Sequence, residues 1–160
     1  MRHQLIDTPI GTLQLVCEKG ALIEINWENK HRAVAEVAQE DGELLALAAA
    51  EVTHFLKSEK RQLTVPIKPR GTAFQTSVWR ELRKIPWGET RTYRDIACNL
   101  EKPSASRAVG AAIGRNPLPL IIPCHRVIGS NGSLTGFAGG LAIKRQLLLI
   151  ESRQRGLSFR

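Results

Sequence analysis

The sequence predicts an α+β protein, with a small N-terminal α/β unit of a hairpin and helices over 1–68 and a mainly helical domain carrying a helix-turn-helix over 69–160. Three features predict it. Apolar residues alternate on either side of Gly20, the signature of paired strands. After Gly71, hydroxyl residues followed three positions later by Gln or Asp start short amphipathic helices. Charge divides between the halves: 8 Lys+Arg against 10 Asp+Glu in 1–68, and 15 against 5 in 69–160. At 160 residues the chain is long enough to bury a core in one domain or two small ones. The net +8 sits wholly in the second part, the electrostatic footprint of a nucleic-acid binder that neutralises phosphates.

In the first part, Leu13, Leu15 and Cys17 alternate with polar Thr12 and Gln14. Gly20 separates this run from a second β-rich run over 21–27, which completes the hairpin. Cys17 lies on the apolar phase and reads as a buried structural thiol. Two helices are expected next, one around 32–39 and one over 44–57, the latter with Leu44, Leu47, Ala48 and Phe55 near one face. Pro66, Pro69 and Gly71 interrupt regular structure where the charge changes sign, which places the domain boundary there.

The second part opens with Thr72 and Gln75 as a capping box, followed by the apolar stripe Phe74, Val78, Leu82 and Ile85; Pro86 and Gly88 end that helix. Thr92 and Asp95 form a second box, before a helix with Tyr93, Ile96, Ala97 and Leu100 on one face. Cys98 sits beside that stripe and, with no neighbouring His, reads as inert. After Pro103, Ser104 is expected to cap a third helix running to about Gly114, so that 99–103 joins a helix-turn-helix. Its residues Ala105, Ala108, Val109, Gly110, Ala111 and Ala112 are small, and Arg107 is the one long side chain near its start. Such a helix either docks closely on DNA of any sequence or packs in a core; it has too few Asn, Gln, Arg or Lys to read base edges.

An apolar run over 118–122, read as a buried strand, leads into Pro123, Cys124, His125 and Arg126. A thiol beside a base and a positive charge is a candidate nucleophile, because thiolates are the reactive form. Adjacent residues on an extended chain point apart, so His125 would reach Cys124 through a water or a turned backbone. A hairpin is expected over 127–137 around Asn131 and Gly132, and the small residues Ala138, Gly139 and Gly140 could line a pocket for a flat ring. The last helix, over 141–151, is apolar through 147–150 and ends at Glu151, which is either an orienter of His125 or a solvated helix-end carboxylate.

Several chemistries are excluded at this stage. Three cysteines with no CxxC pair and no suitably spaced His argue against a metal site and for reduced thiols in the cytoplasm, and no apolar stretch has the length of a membrane span.

The run Pro123-Cys124-His125-Arg126-Val127 resembles the active-site signature of the O6-alkylguanine-DNA alkyltransferases, in their stand-alone bacterial form. The resemblance covers 71–151 and includes Thr72-Ala73-Phe74-Gln75, Arg107-Ala108-Val109-Gly110, Asn116-Pro117 and Gly139-Gly140, whereas the N-terminal segment is similar in length and layout only. It implies stoichiometric, irreversible repair of double-stranded DNA containing O6-alkylguanine, and also O4-alkylthymine, after nucleotide flipping, with Cys124 as alkyl acceptor. His125 would be its base through a water, Glu151 the orienter of His125, and Asn116 the tie between the recognition helix and the active-site loop. Tyr93 would donate to the leaving guanine and help turn the nucleotide out, and Arg107 would fill the gap. Ser104, Ala105, Ala108, Gly110, Arg115 and Arg126 complete the DNA-binding set implied. Val127, Phe137, Ala138 and Gly139 would form the substrate pocket, Phe137 standing where many members have tyrosine and Ala138 where some have serine. Trp87 is bulkier than the family pattern suggests. No cofactor, no metal, no membrane and no obligate protein partner are expected. The competing readings are a helix-turn-helix protein that binds or flags DNA without chemistry, and a cysteine hydrolase.

Overall fold

The computed structural model describes residues 1–35 and 41–153, and the chain divides into two compact units, Met1–Arg70 and Gly71–Arg160. In the first unit, strands β1 (Arg2–Thr8), β2 (Gly11–Glu18) and β3 (Ala21–Asn26) form an antiparallel sheet in the order β1-β2-β3. The hairpin expected around Gly20 is β2–β3. Strand β1 was not anticipated: it is an edge strand whose residues are half-buried or exposed, so it carries no clean apolar alternation. Leu13, Leu15 and Cys17 are fully buried as their phase requires, and burial pushes the Cys17 thiol up to about 12.

Helix α1 (Gly42–Leu56) covers the sheet with Leu45, Ala48, Val52 and Phe55. This corrects the expected face, since Leu47 is 45% exposed and Leu44 only half-buried; a helix so rich in Leu and Ala leaves the phase ambiguous from sequence. No helix forms over 32–35, and the rest of that expected element, 36–39, lies outside the described residues. Within α1, buried Glu51 accepts from the amides of Thr64 (2.7 Å) and Val65 (3.1 Å), fastening the segment that follows. Further on, Leu22 donates to the Pro66 carbonyl and accepts from Lys68, in one isolated parallel bridge.

The second unit is built on helices α2 (Ala73–Leu82), α3 (Tyr93–Asn99), α4 (Ser106–Gly114) and α5 (Leu141–Arg153). Both capping boxes form. Thr72 Oγ1 accepts from the Gln75 amide (3.1 Å) while Gln75 returns a bond to the Thr72 amide (2.9 Å), and Thr92 and Asp95 do the same at 3.0 and 2.8 Å. Such caps stabilise a helix by about 1 kcal/mol each. Helix α2 stops at Leu82, before Pro86, and Gly88 takes a positive φ of 79° in the turn beyond. Val78, Trp79 and Leu82 of α2 pack with Ile96 and Ala97 of α3 and Val109 of α4, and Trp79 Nε1 donates to the Ala112 carbonyl at 2.9 Å. Gly71 lets the chain enter this unit: a Cβ there would stand 2.4 Å from the Trp79 ring.

Three expectations are corrected here. Ser104 does not cap α4; it lies exposed in the preceding turn, and Ala105 holds the cap position without a side-chain bond. The run over 118–122 is not a strand but a buried series of turns, with Leu120 at φ 76°. The expected hairpin over 127–137 is also replaced. Its turn exists, with Gly129 donating to Ser133 and Gly132 to Gly129, but strand β5 (Val127–Ile128) pairs in parallel with β4 (Arg91–Thr92), and 133–137 has no regular structure. Among the described residues no helix is long and apolar enough to cross a membrane.

Candidate active site

Cys124 begins a single turn of 3-10 helix, Cys124–Arg126, at the end of the buried loop. The turn supplies the bent backbone that lets neighbouring residues point in one direction. Its amide donates to the Ile122 carbonyl at 2.7 Å, and Asn116 clamps the same loop: its Nδ2 donates to Ile122 O at 2.8 Å and its Oδ1 accepts from the Leu118 amide at 2.9 Å. The Cys124 side chain is 6% exposed. Burial pushes its thiol up to about 11, against the opposing effects of an Asn116 side-chain hydrogen bond and the charge of Lys144. Desolvation therefore outweighs these neighbours, which are not the His125 and Arg126 side chains that the sequence suggested would favour thiolate.

His125 is fully buried, and its Nε2 lies 2.7 Å from Glu151 Oε2. A carboxylate only accepts, so Nε2 carries the proton and Nδ1 holds the basic lone pair. Burial pulls the imidazole below its ordinary value; Glu151 opposes this, while Arg126 and Lys144 reinforce it. The reading of Glu151 as a solvated carboxylate is overturned, for it is 1% exposed. Burial resists its ionisation, but His125 and Arg126 prevail and hold the carboxyl below the usual range.

Arg126 was expected to contact DNA; instead it is buried and turned inward. Its Nε reaches both Glu151 oxygens at 2.5 and 3.0 Å, its Nη1 donates to the Ile85 carbonyl at 2.7 Å, and its guanidinium lies 5.9 Å from the centre of the Trp87 ring. The bulky Trp87 is thus a cover for a buried ion pair. A buried carboxylate placed between a neutral imidazole and a guanidinium satisfies the rule that interior charges are paired and hydrogen-bonded.

Two residues escaped sequence reasoning. Lys144, on α5, is 1% exposed and donates to the carbonyls of Val127 (2.6 Å) and Thr135 (3.0 Å). Burial lowers its pKa, and Cys124 opposes that shift. The spacing of Lys144, Leu147, Leu148 and Glu151 along one helical face was the available signal. Thr135 Oγ1 donates to the Tyr93 hydroxyl at 3.0 Å.

The other expected residues are distributed as follows. Tyr93 is half-buried at the first position of α3, and a Cβ added to Gly110 would meet its ring at 3.8 Å, so Gly110 faces Tyr93. Arg107 and Ala108 are exposed on α4, with Arg115 exposed just beyond it and Ala105 half-buried. Val127 is buried, Phe137 and Gly139 are half-buried, and Ala138 is exposed. Among the described residues, no group of three His, Cys, Asp or Glu is arranged to hold a metal ion.

Two family models match the chain: "6-O-methylguanine DNA methyltransferase, DNA binding domain" over residues 73–153, and "6-O-methylguanine DNA methyltransferase, ribonuclease-like domain" over residues 1–69. The methylated-DNA–protein-cysteine methyltransferase of Methanosarcina acetivorans is 43% identical over 153 residues, covering 94% of this chain and 98% of the relative. The inducible enzyme of the same name from Bacillus subtilis is 48% identical over 127 residues, covering 79% of this chain and 70% of the relative. Among solved structures, Mycobacterium tuberculosis OGT in complex with DNA superposes with a TM-score of 0.82 at 38% identity, covering 95% of this chain and 93% of that one. By its sequence, by its two matched segments and by its fold, this chain belongs to the 6-O-methylguanine DNA methyltransferase family.

Proposed function

We propose that the protein repairs O6-alkylguanine in double-stranded DNA by moving the alkyl group onto Cys124, once per molecule. The observation that carries this reading is the buried pair His125–Glu151 set next to a buried thiol in a basic helical unit. The related enzymes are named for methyl transfer to a protein cysteine, and the Mycobacterium tuberculosis relative is seen in complex with DNA.

The lesion carbon lies inside stacked DNA, so the nucleotide must leave the stack at a cost of a few kcal/mol. Helix α4 presents exposed Arg107 and Ala108, a long cation beside a small residue; the backbone approaches the duplex and Arg107 takes the place of the extruded base. His125 Nδ1, kept neutral by burial and by the cations around it, accepts the Cys124 proton through a water. The sulfur attacks the alkyl carbon in line with O6: the S–C bond forms, the C–O6 bond breaks, and the electron pair returns to guanine. Tyr93 donates a hydrogen bond to the departing base. The proton lost by the thiol is balanced by the proton guanine gains, so no co-reactant is consumed. Water does not cleave the resulting thioether, and the protein is not regenerated. The Val127 carbonyl, already accepting from Lys144, keeps a second lone pair for the guanine edge.

Intact-protein mass spectrometry after mixing with duplex DNA containing O6-methylguanine tests this. One methyl on Cys124 per protein, with no further turnover, is expected, and none on Cys124→Ser. Repeated turnover would favour a hydrolase, and tight binding without methylation a damage-flagging protein.

A further inference from the structure

The segment after the Asn131–Gly132 turn has no regular structure, yet Thr135 within it is held from two sides. Its hydroxyl meets the Tyr93 hydroxyl at 3.0 Å, 42 positions away in the chain, and its carbonyl accepts from Lys144 Nζ at 3.0 Å. The same ammonium holds the Val127 carbonyl at 2.6 Å. Tyr93, Thr135, Lys144 and Val127 are therefore one connected set that runs from the first residue of α3 to the residue three positions after Cys124. Lys144 is anchored in α5 and fully buried, so the main chain at Thr135 is fixed against a rigid helix rather than left to a free loop.

A phenolic hydrogen lies near the plane of its ring and chooses between two sides. When a neighbour donates to the phenol oxygen from one side, the proton is directed to the other and remains available to a further acceptor. In a chain of hydroxyls each bond also polarises the next, which makes the terminal donor stronger. We propose that Thr135 is a positioning residue for alkyl transfer: its hydroxyl, fixed through the Lys144 tie, orients the Tyr93 hydroxyl so that the phenol proton faces the departing guanine. This rests on the reading of Tyr93 as the guanine donor given above.

The test is the single-turnover rate of methyl transfer from O6-methylguanine duplex at saturating DNA, for the wild type, Thr135→Val, Thr135→Ser, Tyr93→Phe and the double variant Tyr93→Phe/Thr135→Val. Valine keeps the shape of threonine and the main-chain bond to Lys144, and removes only the hydroxyl. Thr135→Val is expected to be slower by roughly 3- to 10-fold, the rate equivalent of one neutral hydrogen bond. Thr135→Ser should stay within about twofold of the wild type, since its hydroxyl restores that same bond. In the Tyr93→Phe background, Thr135→Val should cause no further loss, because the two residues act as one unit. Affinity for unmodified duplex should be unchanged in Thr135→Val and Thr135→Ser, which reports intact folding of the DNA-binding unit. Additive losses in the double variant, or wild-type rates in Thr135→Val, overturn the proposal. A wild-type rate in Tyr93→Phe overturns the underlying role of Tyr93 as well, and absence of methyl on wild-type Cys124 overturns the alkyltransferase reading itself; each failure is distinct.

Discussion

The ammonium of Lys144 donates to the carbonyl oxygen of Val127 at 2.6 Å, placing a fully buried cation beside the buried thiol of Cys124. No carboxylate is bonded to that ammonium among its described hydrogen bonds; both partners are carbonyls. Lys144→Met keeps the length of the side chain and removes its charge. The pH midpoint for reaction of Cys124 with iodoacetamide is expected to lie higher in this variant than in the wild type, and methyl transfer to slow. An unchanged midpoint would remove Lys144 from the electrostatics of the site.

With His125 as the proposed proton acceptor, the acid limb of the transfer reaction is expected to follow its imidazole, whose pKa is lowered from 6.5. The neutral, proton-accepting form therefore persists below the range where a free imidazole would be protonated. Single-turnover rates between pH 5 and 8 should hold through about 6.5 and decline only at lower pH. A decline centred above 6.5 would contradict the burial that produces the shift.

Stability should follow a plateau with edges that can be assigned. His125 has a depressed folded pKa, so its contribution is present above 6.5 and is lost as pH falls through the folded value. Glu24, Glu51 and Glu151 are depressed below 4.5, and their contributions disappear at still lower pH. Cys17 and Cys124 are raised from 9.0 to about 12 and 11, so stability is lost as pH rises above 9. Thermal unfolding across this range should show the highest Tm between 6.5 and 9, and Cys124→Ala should soften the alkaline edge.

Asn116 holds two main-chain groups of the loop before the nucleophile, and its replacement by Ala leaves Ile122 O and Leu118 N without those partners. Ile122 O keeps its bond from the Cys124 amide, so the group left unsatisfied is the Leu118 amide, and a loss of about 1–3 kcal/mol is expected, measured by urea unfolding. Asn116→Asp keeps the acceptor for Leu118 and should recover part of it.

Arg107 provides the test of base replacement. Arg107→Ala should slow transfer from duplex DNA at saturation far more than transfer from free O6-benzylguanine, which needs no extrusion. Equal slowing on both would mark a purely structural residue, and full activity at saturation a simple phosphate contact.

Local chemistry was legible in the sequence where paired side chains close on each other within a few residues, though not at Ser104, which leaves the cap position of α4 to Ala105. Thr72 with Gln75 and Thr92 with Asp95 announce their helices because each box closes on itself. The turn at Asn131–Gly132 was equally local, but the strand beside it was not: Val127–Ile128 pairs with Arg91–Thr92, a partner that no nearby residue specifies. The same distance in sequence hid the roles of Lys144 and Thr135, since a lysine on a helix and a threonine in a loop read as solvated until their carbonyl and phenol partners are in place. Arg126 was misplaced for a related reason. Beside a nucleophile in a basic domain it reads as a DNA contact, and only the fold brings Glu151, Ile85 and Trp87 around it.

The depth at which Cys124 is kept has a meaning for a reagent that can be used once. With its thiol pushed up to about 11 by burial, the resting sulfur is held in the protonated form at neutral pH, and peroxides, disulfides and stray electrophiles react with the ionised form. Cys98, by contrast, is exposed on α3 and open to such reagents. Burial that looks like a handicap for a nucleophile thus acts as chemical discretion: the thiol stays idle among bystanders.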